Sequence, residues 1–211
     1  MANIVIADDH AVVRTGYRRI FEQSGQHNVV AEAGSGHEVI ALLKEKSPDV
    51  LLLDVMMDGP GIINTITRVL KQDSRMRIIV VSMHDNLSLV ERCLKAGALA
   101  YITKLSQSSS LLNGLNEVMK RRRYLSHDVA EKLAMKQLDL KGHSSLTSLS
   151  TREFDVFLRL VRGGSISDIS NNMNISKKTT SNYLSKIKSK LGVSTTAELV
   201  HLAFQENILE F

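Results

Sequence analysis

The sequence predicts an α/β fold with two domains: a doubly wound parallel sheet of (βα)5 type, then a linker and a small all-α domain. Short apolar segments without polar alternation recur through residues 1–121, as in strands that are buried on both faces of a parallel sheet. Segments with helical spacing separate them. Beyond residue 149 only helical patterns remain, which indicates a second domain without a sheet.

Five strands and five helices are expected in the first domain, 1–121. Pro48 ends the second helix and Gly97 the fourth, because proline interrupts a helix and glycine readily adopts the left-handed conformation of a helix end. The expected strands span residues 3–7, 28–33, 50–54, 78–82 and 99–102. The expected helices span residues 10–23, 36–46, a segment through Ile66, Val69 and Leu70, 85–96 and 107–121.

The linker, residues 122–148, is expected to contain one helix and a tether. Ser126-His127-Asp128 can cap a helix through Val129 and Leu133. Residues 139–148 are rich in serine and polar side chains, which is typical of a flexible connection.

Four short helices are expected in the second domain, 149–211. Ser150 with Glu153 three residues later is a capping-box pattern that begins the first of them. The other three are expected at residues 166–173, from Ser176 to Leu191 and from Thr195 onward. A short helix, a tight turn and a longer helix form a helix-turn-helix at about residues 166–185.

Composition narrows the class of protein. The chain has 211 residues, a formal net charge of +5 and one cysteine, Cys93, so no internal disulfide framework is possible. No apolar stretch reaches the ~20 residues that a transmembrane helix needs, and the amino terminus lacks a signal-peptide pattern. We therefore expect a cytoplasmic protein without a membrane partner. The positive charge is compatible with nucleic-acid binding.

Chemical groups follow four of the predicted strands. Asp8-Asp9, Asp54, Ser82 and Lys104 each stand at the carboxyl end of an apolar segment. Open α/β sheets place their sites at this edge, so these side chains are expected to converge if their strands are neighbours. Crowding of carboxylates is costly unless a cation or protons compensate it, and oxygen ligands favour Mg²⁺ as that cation.

This set, together with the segment from Ala96 to Lys104, resembles the receiver domain of bacterial response regulators over residues 1–121. The resemblance implies a flavodoxin-like fold and a phosphoryl group transferred to Asp54 from a sensor histidine kinase or a phosphotransfer protein. The implied Mg²⁺ ligands are Asp8, Asp9, Asp54 and the backbone carbonyl of Met56. The implied phosphoryl contacts are Ser82 and Lys104, and Tyr101 is the implied switch residue. His10 and His84 flank the site, but hydrogen-bonded or solvated histidines are commoner than ligands, so neither is assigned a role.

The loop after Asp54 departs from the receiver pattern. Asp58 stands where proline is usual, Pro60 and Gly61 come later, and Ile62 falls where glycine is common. The loop is therefore expected to follow an altered path, with an effect on the rate and lifetime of phosphorylation.

The helix from Ser176 to Leu191 has the composition of a DNA-recognition helix. It contains five lysines and no acidic residue, and short polar side chains lie among the lysines. Lysines neutralise phosphates, and short polar groups reach base edges. The candidate DNA-binding residues are Lys177, Lys178, Thr179, Ser181, Asn182, Tyr183, Ser185, Lys186, Lys188 and Lys190. At helical spacing, Lys178, Asn182 and Lys186 form one stripe.

The segments Leu149–Glu153, Ile175–Thr179 and Lys190–Val193 resemble the LuxR-type DNA-binding domain. A receiver followed by this domain is identified as a member of the NarL/FixJ family, most like its GacA/UvrY/SirA subgroup. The resemblance implies a transcription regulator, not an enzyme, that binds promoter DNA as a homodimer and works with RNA polymerase. The implied dimer contacts are Ala197, Val200 and Ala203.

Two rival interpretations stay open. Asp8 could be the nucleophile of an aspartyl-phosphate phosphatase, but His10 occupies the position where that chemistry needs a second aspartate. Alternatively, the altered loop at Asp58 is compatible with a regulator that works without phosphorylation.

Overall fold

The computed structural model describes residues 1–138 and 145–209, and its first part contains one parallel sheet. The strands are β1 (Ala2–Ala7), β2 (His27–Ala33), β3 (Val50–Asp54), β4 (Arg77–Ser82), β5 (Ala100–Thr103) and β6 (Tyr124–Leu125). Their order across the sheet is β2-β1-β3-β4-β5-β6. The expected adjacency of β1 and β3 is confirmed, since Ala7 pairs with Leu53 and the segments that follow lie side by side.

Five helices connect the strands, as the sequence predicts. They are α1 (Ala11–Gln23), α2 (Gly36–Glu45), α3 (Ile62–Gln72), α4 (Leu87–Ala96) and α5 (Ser108–Met119). Ser35 caps α2 by accepting a hydrogen bond from the amide of Glu38. Helix α4 begins two residues later than expected because Asn86 caps it, and it ends at Gly97 with φ of +114°.

The sheet is buried on both faces, which explains its unbroken apolar strands. One face packs against α1 and α5 through residues such as Ile6 and Leu52. The alternate residues, such as Val5 and Leu53, face the side that carries α2, α3 and α4. This alternation is the two-residue period of a strand, and it confirms the doubly wound architecture.

The linker is more structured than the sequence predicts. Residues 124–125 form β6 parallel to β5, which the sequence analysis missed, and α6 (His127–Leu138) follows as expected. Ser126 accepts a hydrogen bond from the amide of Thr103, and Asp128 accepts one from the Thr103 hydroxyl at 2.7 Å. Residues 139–144 of the predicted tether lie outside the described residues. Residues 145–148 form a 3₁₀ turn, where the sequence predicts a flexible connection.

The second domain consists of short helices, as the sequence predicts. They are α7 (Thr151–Val161), α8 (Ile166–Met173), α9 (Lys177–Leu191) and α10 (Thr196–Gln205). The capping box of Ser150 and Glu153 is confirmed. Asn174 ends α8 in the left-handed conformation, Ser176 caps α9, and Thr195 caps α10.

The two domains contact each other through α7, which lies against α3, and their apolar residues form one continuous cluster. Phe154 and Phe157 of α7 are fully buried in that cluster. In the described part of the chain, every helix is too short or too polar to cross a membrane.

Candidate functional site

The carboxyl edge of the sheet brings together the groups that the sequence singled out. Asp54 ends β3, Asp8 follows β1, and Lys104 follows β5. The Lys104 ammonium lies between two carboxylates, with Nζ 2.5 Å from Oδ2 of Asp8 and 3.1 Å from Oδ1 of Asp54. Asp8 and Asp54 are both buried, and the second oxygen of Asp54 accepts a hydrogen bond from the amide of Met56.

The site is short of positive charge. Burial raises the pKa of the Asp54 carboxyl and the charge of Asp8 adds to the effect, although Lys104 acts in the opposite direction. Burial by itself would lower the pKa of the Lys104 ammonium, but Asp54 and Asp8 outweigh it and raise that pKa. A further cation at this edge would therefore stabilise the ionised carboxylates.

The donor set fits Mg²⁺. Asp8 and Asp54 supply buried carboxylate oxygens, Asp9 supplies an exposed one, and hard divalent cations prefer such ligands. Asp8, Asp9 and His10 also form a cluster whose potential ligand atoms all lie within 4.8 Å of one another. No role for His10 is expected from the sequence; in the structure its ring Nδ1 lies 2.7 Å from Oδ1 of Asp9. Imidazole suits transition metals better than Mg²⁺, so His10 contacts the acidic pair without being a preferred Mg²⁺ ligand.

Ser82 and Tyr101 belong to a hydrogen-bonded layer beside the carboxylates. Both residues are fully buried. The Ser82 hydroxyl accepts a hydrogen bond from the amide of His84, and the Tyr101 hydroxyl donates one at 2.7 Å to the His84 carbonyl. The amide of Lys104 donates to the Ser82 carbonyl at 2.6 Å. A change at Ser82 or Lys104 would therefore reach the segment 82–84 and Tyr101 directly.

Most of the predicted DNA-binding residues lie on the exposed face of α9. Ile187 is fully buried on the opposite face, and Thr180 is buried as well, with its hydroxyl 2.9 Å from that of Ser170. Thr179, Tyr183 and Lys188 are half-buried. The exposed candidates are Lys177, Lys178, Ser181, Asn182, Ser185, Lys186 and Lys190.

Two of the lysines have partners within the protein. Lys190 Nζ lies 2.6 Å from a carboxylate oxygen of Glu153 and also donates to the Ser148 carbonyl. Lys188 donates to the carbonyl of Ser194 at 3.0 Å. The stripe of Lys178, Asn182 and Lys186 is thus better placed for DNA than the end of the helix.

The predicted dimer residues on α10 differ in exposure. Ala197 is exposed and Val200 is half-buried, whereas Ala203 is fully buried. Ala203 therefore packs inside its own domain, as part of the apolar cluster. Its side chain does not lie on the surface where a second copy could contact it.

Comparisons with known proteins agree with both parts of the chain. The family profile described as "Response regulator receiver domain" matches residues 4–116, and the profile "Bacterial regulatory proteins, luxR family" matches residues 147–203. The "Response regulator UvrY" of Escherichia coli (strain K12) is 31% identical over 209 residues, which are 99% of this chain and 96% of that protein. The "Response regulator GacA" of Pseudomonas aeruginosa is 30% identical over 211 residues, covering 100% of this chain and 99% of that one.

A solved structure is similar over both domains. RcsB from Salmonella enterica serovar Typhimurium, bound to promoter P1flhDC in the presence of phosphomimetic BeF3-, superposes with a TM-score of 0.77 at 26% identity. The similarity covers 95% of this chain and 97% of that one.

Proposed function

The chain belongs to the response regulators that join a receiver domain to a LuxR-type DNA-binding domain, and from this premise we propose that phosphorylation of Asp54 controls its binding to promoter DNA. The single observation that carries the proposal is the contact of Lys104 with both buried carboxylates, Asp8 and Asp54. This arrangement suits a carboxylate nucleophile such as Asp54, because the phosphorylated product carries more negative charge and the Lys104 ammonium can neutralise part of it. The related proteins are named as response regulators.

The chemistry at Asp54 is phosphoryl transfer to a carboxylate. An oxygen of Asp54 attacks the phosphorus of a phosphohistidine, the new P–O bond forms as the P–N bond breaks, and the histidine nitrogen leaves with the electron pair. Lys104 neutralises the equatorial oxygens, and the Ser82 hydroxyl donates to one of them. Asp8, Asp9, Asp54 and the Met56 carbonyl would hold Mg²⁺, which when bound supplies charge neutralisation at the phosphoryl oxygens.

Phosphorylation would reach the rest of the chain through Lys104 and Ser82. The new oxygens compete with Asp8 for the Lys104 ammonium. They also accept the proton of the Ser82 hydroxyl, whose oxygen accepts a hydrogen bond from the His84 amide. Thr103 precedes Lys104 and donates to Asp128 at the start of α6, so a shift of β5 is transmitted to the linker helix. We infer that this path couples the receiver to the DNA-binding domain.

We infer that α9 enters the major groove and that the protein binds DNA as a homodimer. One recognition helix contacts only a few base pairs, so useful specificity needs two half-sites. Ala197 and Val200 of α10 are the accessible small residues for contact between two copies. We propose that residues 1–121 are the receiver, 122–148 the linker and 149–211 the DNA-binding domain. The proposed protein partners are RNA polymerase and a sensor histidine kinase or phosphotransfer protein.

The test is phosphorylation of the full chain with acetyl phosphate and Mg²⁺, followed by intact-protein mass spectrometry. Wild type should gain one phosphoryl group and Asp54→Asn none. Asp58→Asn is the matched control, because Asp58 is an exposed carboxylate in the same loop, and it should be labelled like wild type. Equal labelling of Asp54→Asn would refute the assignment. No labelling of wild type, together with intact promoter binding, would favour the phosphorylation-independent regulator, whereas turnover of a generic phosphate ester would favour the phosphatase.

A further inference from the structure

One acidic residue is buried between the two domains without a partner. Asp155 of α7 is 2% exposed, and neither of its carboxyl oxygens has a hydrogen-bond partner among the described residues. It lies against Gly61, the last residue of the loop that departs from the receiver pattern. A Cβ atom at Gly61 would lie 2.6 Å from Oδ2 of Asp155, and Gly61 has φ of +89°, so glycine allows this close approach.

The same loop makes further contacts with the second domain. Arg159 of α7 donates to the Gly59 carbonyl at 2.7 Å, and Asn172 of α8 donates to Oδ1 of Asp58 at 3.1 Å. A cavity of about 190 Å³ remains between the domains beside these contacts. We call the set of Asp58, Gly59, Gly61, Asp155 and Arg159 the interdomain latch. Asp58 and Gly61, two of the residues that distinguish this loop, thus contact the DNA-binding domain.

The charged groups around Asp155 are engaged elsewhere. From α4, Arg92 donates to the carbonyls of Leu146 and Leu149, and its guanidinium stacks on Phe154 at 4.4 Å. Arg159 is bonded to the loop. Arg152, on the first turn of α7, is exposed. In the described part of the chain, none of these arginines forms an ion pair with Asp155. Other titratable groups near it are the buried thiol of Cys93 on α4 and, beyond Arg159, the carboxylate of Asp58. Arg162 and Asp168 line the same cavity.

The surroundings favour the neutral form of the carboxyl group. Burial raises the pKa of Asp155 to about 7, because the charges of Arg159, Arg152 and Arg92 only partly replace the lost hydration. When the domains separate, Asp155 becomes hydrated and its pKa returns toward the usual value of 3.8. Between pH 3.8 and about pH 7, the closed arrangement therefore binds more protons than the open one.

We propose that Asp155 makes closure of the two domains proton-dependent: the closed form takes up one proton at this carboxyl group, and opening releases it to water. The closing equilibrium constant should rise as the pH falls below neutrality and should level off above about pH 8. By linkage, it should be about tenfold larger at pH 6 than at pH 8. Opening frees α8 and the end of α10, which contacts the receiver through the Glu206 carbonyl and Asn86. A rise in pH thus favours the form in which the DNA-binding domain is separate.

The test uses the full chain without Mg²⁺ or phosphodonor, so its outcome does not depend on phosphorylation of Asp54. First, the carboxyl carbon of Asp155 is titrated by NMR, with an expected midpoint near pH 7. Second, single-molecule energy transfer between dyes on Arg19→Cys and Ser189→Cys, both at exposed positions, measures the closed fraction at pH 6 and pH 8. Mass spectrometry checks that buried Cys93 stays unlabelled.

Three variants distinguish the contributions of Asp155, Asp58 and Asn172 to the pH dependence of domain closure. Asp155→Asn keeps the shape of the side chain but carries no charge, so it should stay closed at both pH values and lose the tenfold change. Asp58→Asn, an exposed acid in the same latch, should keep it. If wild type is too fully closed to measure, Asn172→Ala removes one hydrogen bond at the rim and brings both populations into range.

Three results would overturn the proposal. They are an Asp155 midpoint near 4, a closing constant that does not change between pH 6 and pH 8, and a pH response that survives in Asp155→Asn. The last result would assign the pH response to a group other than Asp155.

Discussion

Replacing Lys104 by methionine tests the electrostatic balance of the candidate phosphorylation site. The methionine keeps the apolar stem of the side chain but removes the ammonium that contacts Asp8 at 2.5 Å and Asp54 at 3.1 Å. The carboxylates are 1% and 3% exposed, so they gain little hydration in exchange. We expect the variant to be less stable than wild type in the absence of Mg²⁺.

The size of the effect follows from burial. Removing one partner of a buried ion pair costs about 3–5 kcal/mol. The edge of the sheet is partly open, with Lys104 itself 11% exposed, and Asp54 can take up a proton because its pKa is already raised. Both effects reduce the cost, to about 3 kcal/mol at neutral pH. For a domain of this size that loss lowers the Tm by about 10 °C.

Urea and thermal unfolding followed by circular dichroism, each at increasing Mg²⁺ concentration, measure this loss and its rescue. A cation that binds only the folded site stabilises it by about 2.7 kcal/mol at 100 times its Kd. Without the competing ammonium, Mg²⁺ should raise the unfolding free energy of the variant more than that of wild type. The difference in stability between the two proteins should therefore become smaller as Mg²⁺ is added. Lys120→Met is the control, since Lys120 is 56% exposed and pairs with Glu117, and it should change stability by less than about 0.5 kcal/mol. If the stability difference between wild type and Lys104→Met does not change with Mg²⁺ concentration, Lys104 and the metal do not neutralise the same carboxylates.

Three further predictions concern the second domain. Lys190→Ala should lower the unfolding free energy of this domain by about 1 kcal/mol, because Glu153 loses its ammonium partner. It should leave the salt dependence of DNA binding unchanged, and a reduced salt slope would contradict the assignment of Lys190 to Glu153. Because the pKa of Glu153 is lowered to about 2, this loss should be complete above pH 4.5 and disappear as the pH falls toward 2 in chemical unfolding. Asn182→Ala should lose discrimination at one base pair by about 1–3 kcal/mol in a panel of single-base variants, and equal weakening of all sequences would assign it to a phosphate. Val200→Asp should reduce cooperative DNA binding in gel-shift assays with phosphorylation intact, whereas Ala203→Asp should unfold the domain; a folded Ala203→Asp variant would place that residue at the surface.

Most secondary structure is predictable because its causes are local. The capping box of Ser150 and Glu153, the left-handed Gly97 and the unbroken apolar run of β3 each depend on residues within one turn or one strand. β6 was missed because a two-residue strand has no periodicity, and its pairing with β5 is decided by the edge of the sheet that happens to be free.

The candidate phosphorylation site could be predicted in outline for a similar reason. In a parallel sheet the strands all end at one edge, so residues that follow different strands, such as Asp8, Asp54 and Lys104, must converge there. The pattern does not reveal which atoms touch. The contact of His10 with Asp9 depends on side-chain direction, and so does the simultaneous contact of Lys104 with Asp8 and Asp54.

The sequence by itself determined the two domains, the order of their elements and the acidic edge of the sheet, because periodicity and strand ends act over short distances. Only the tertiary structure decided how distant segments meet. Lys190 pairs with Glu153, Ala203 faces the core, and Asp155 lies unpartnered against Gly61. These outcomes depend on how whole helices pack against each other and against the receiver, and packing is a property of shapes and volumes that no single segment carries.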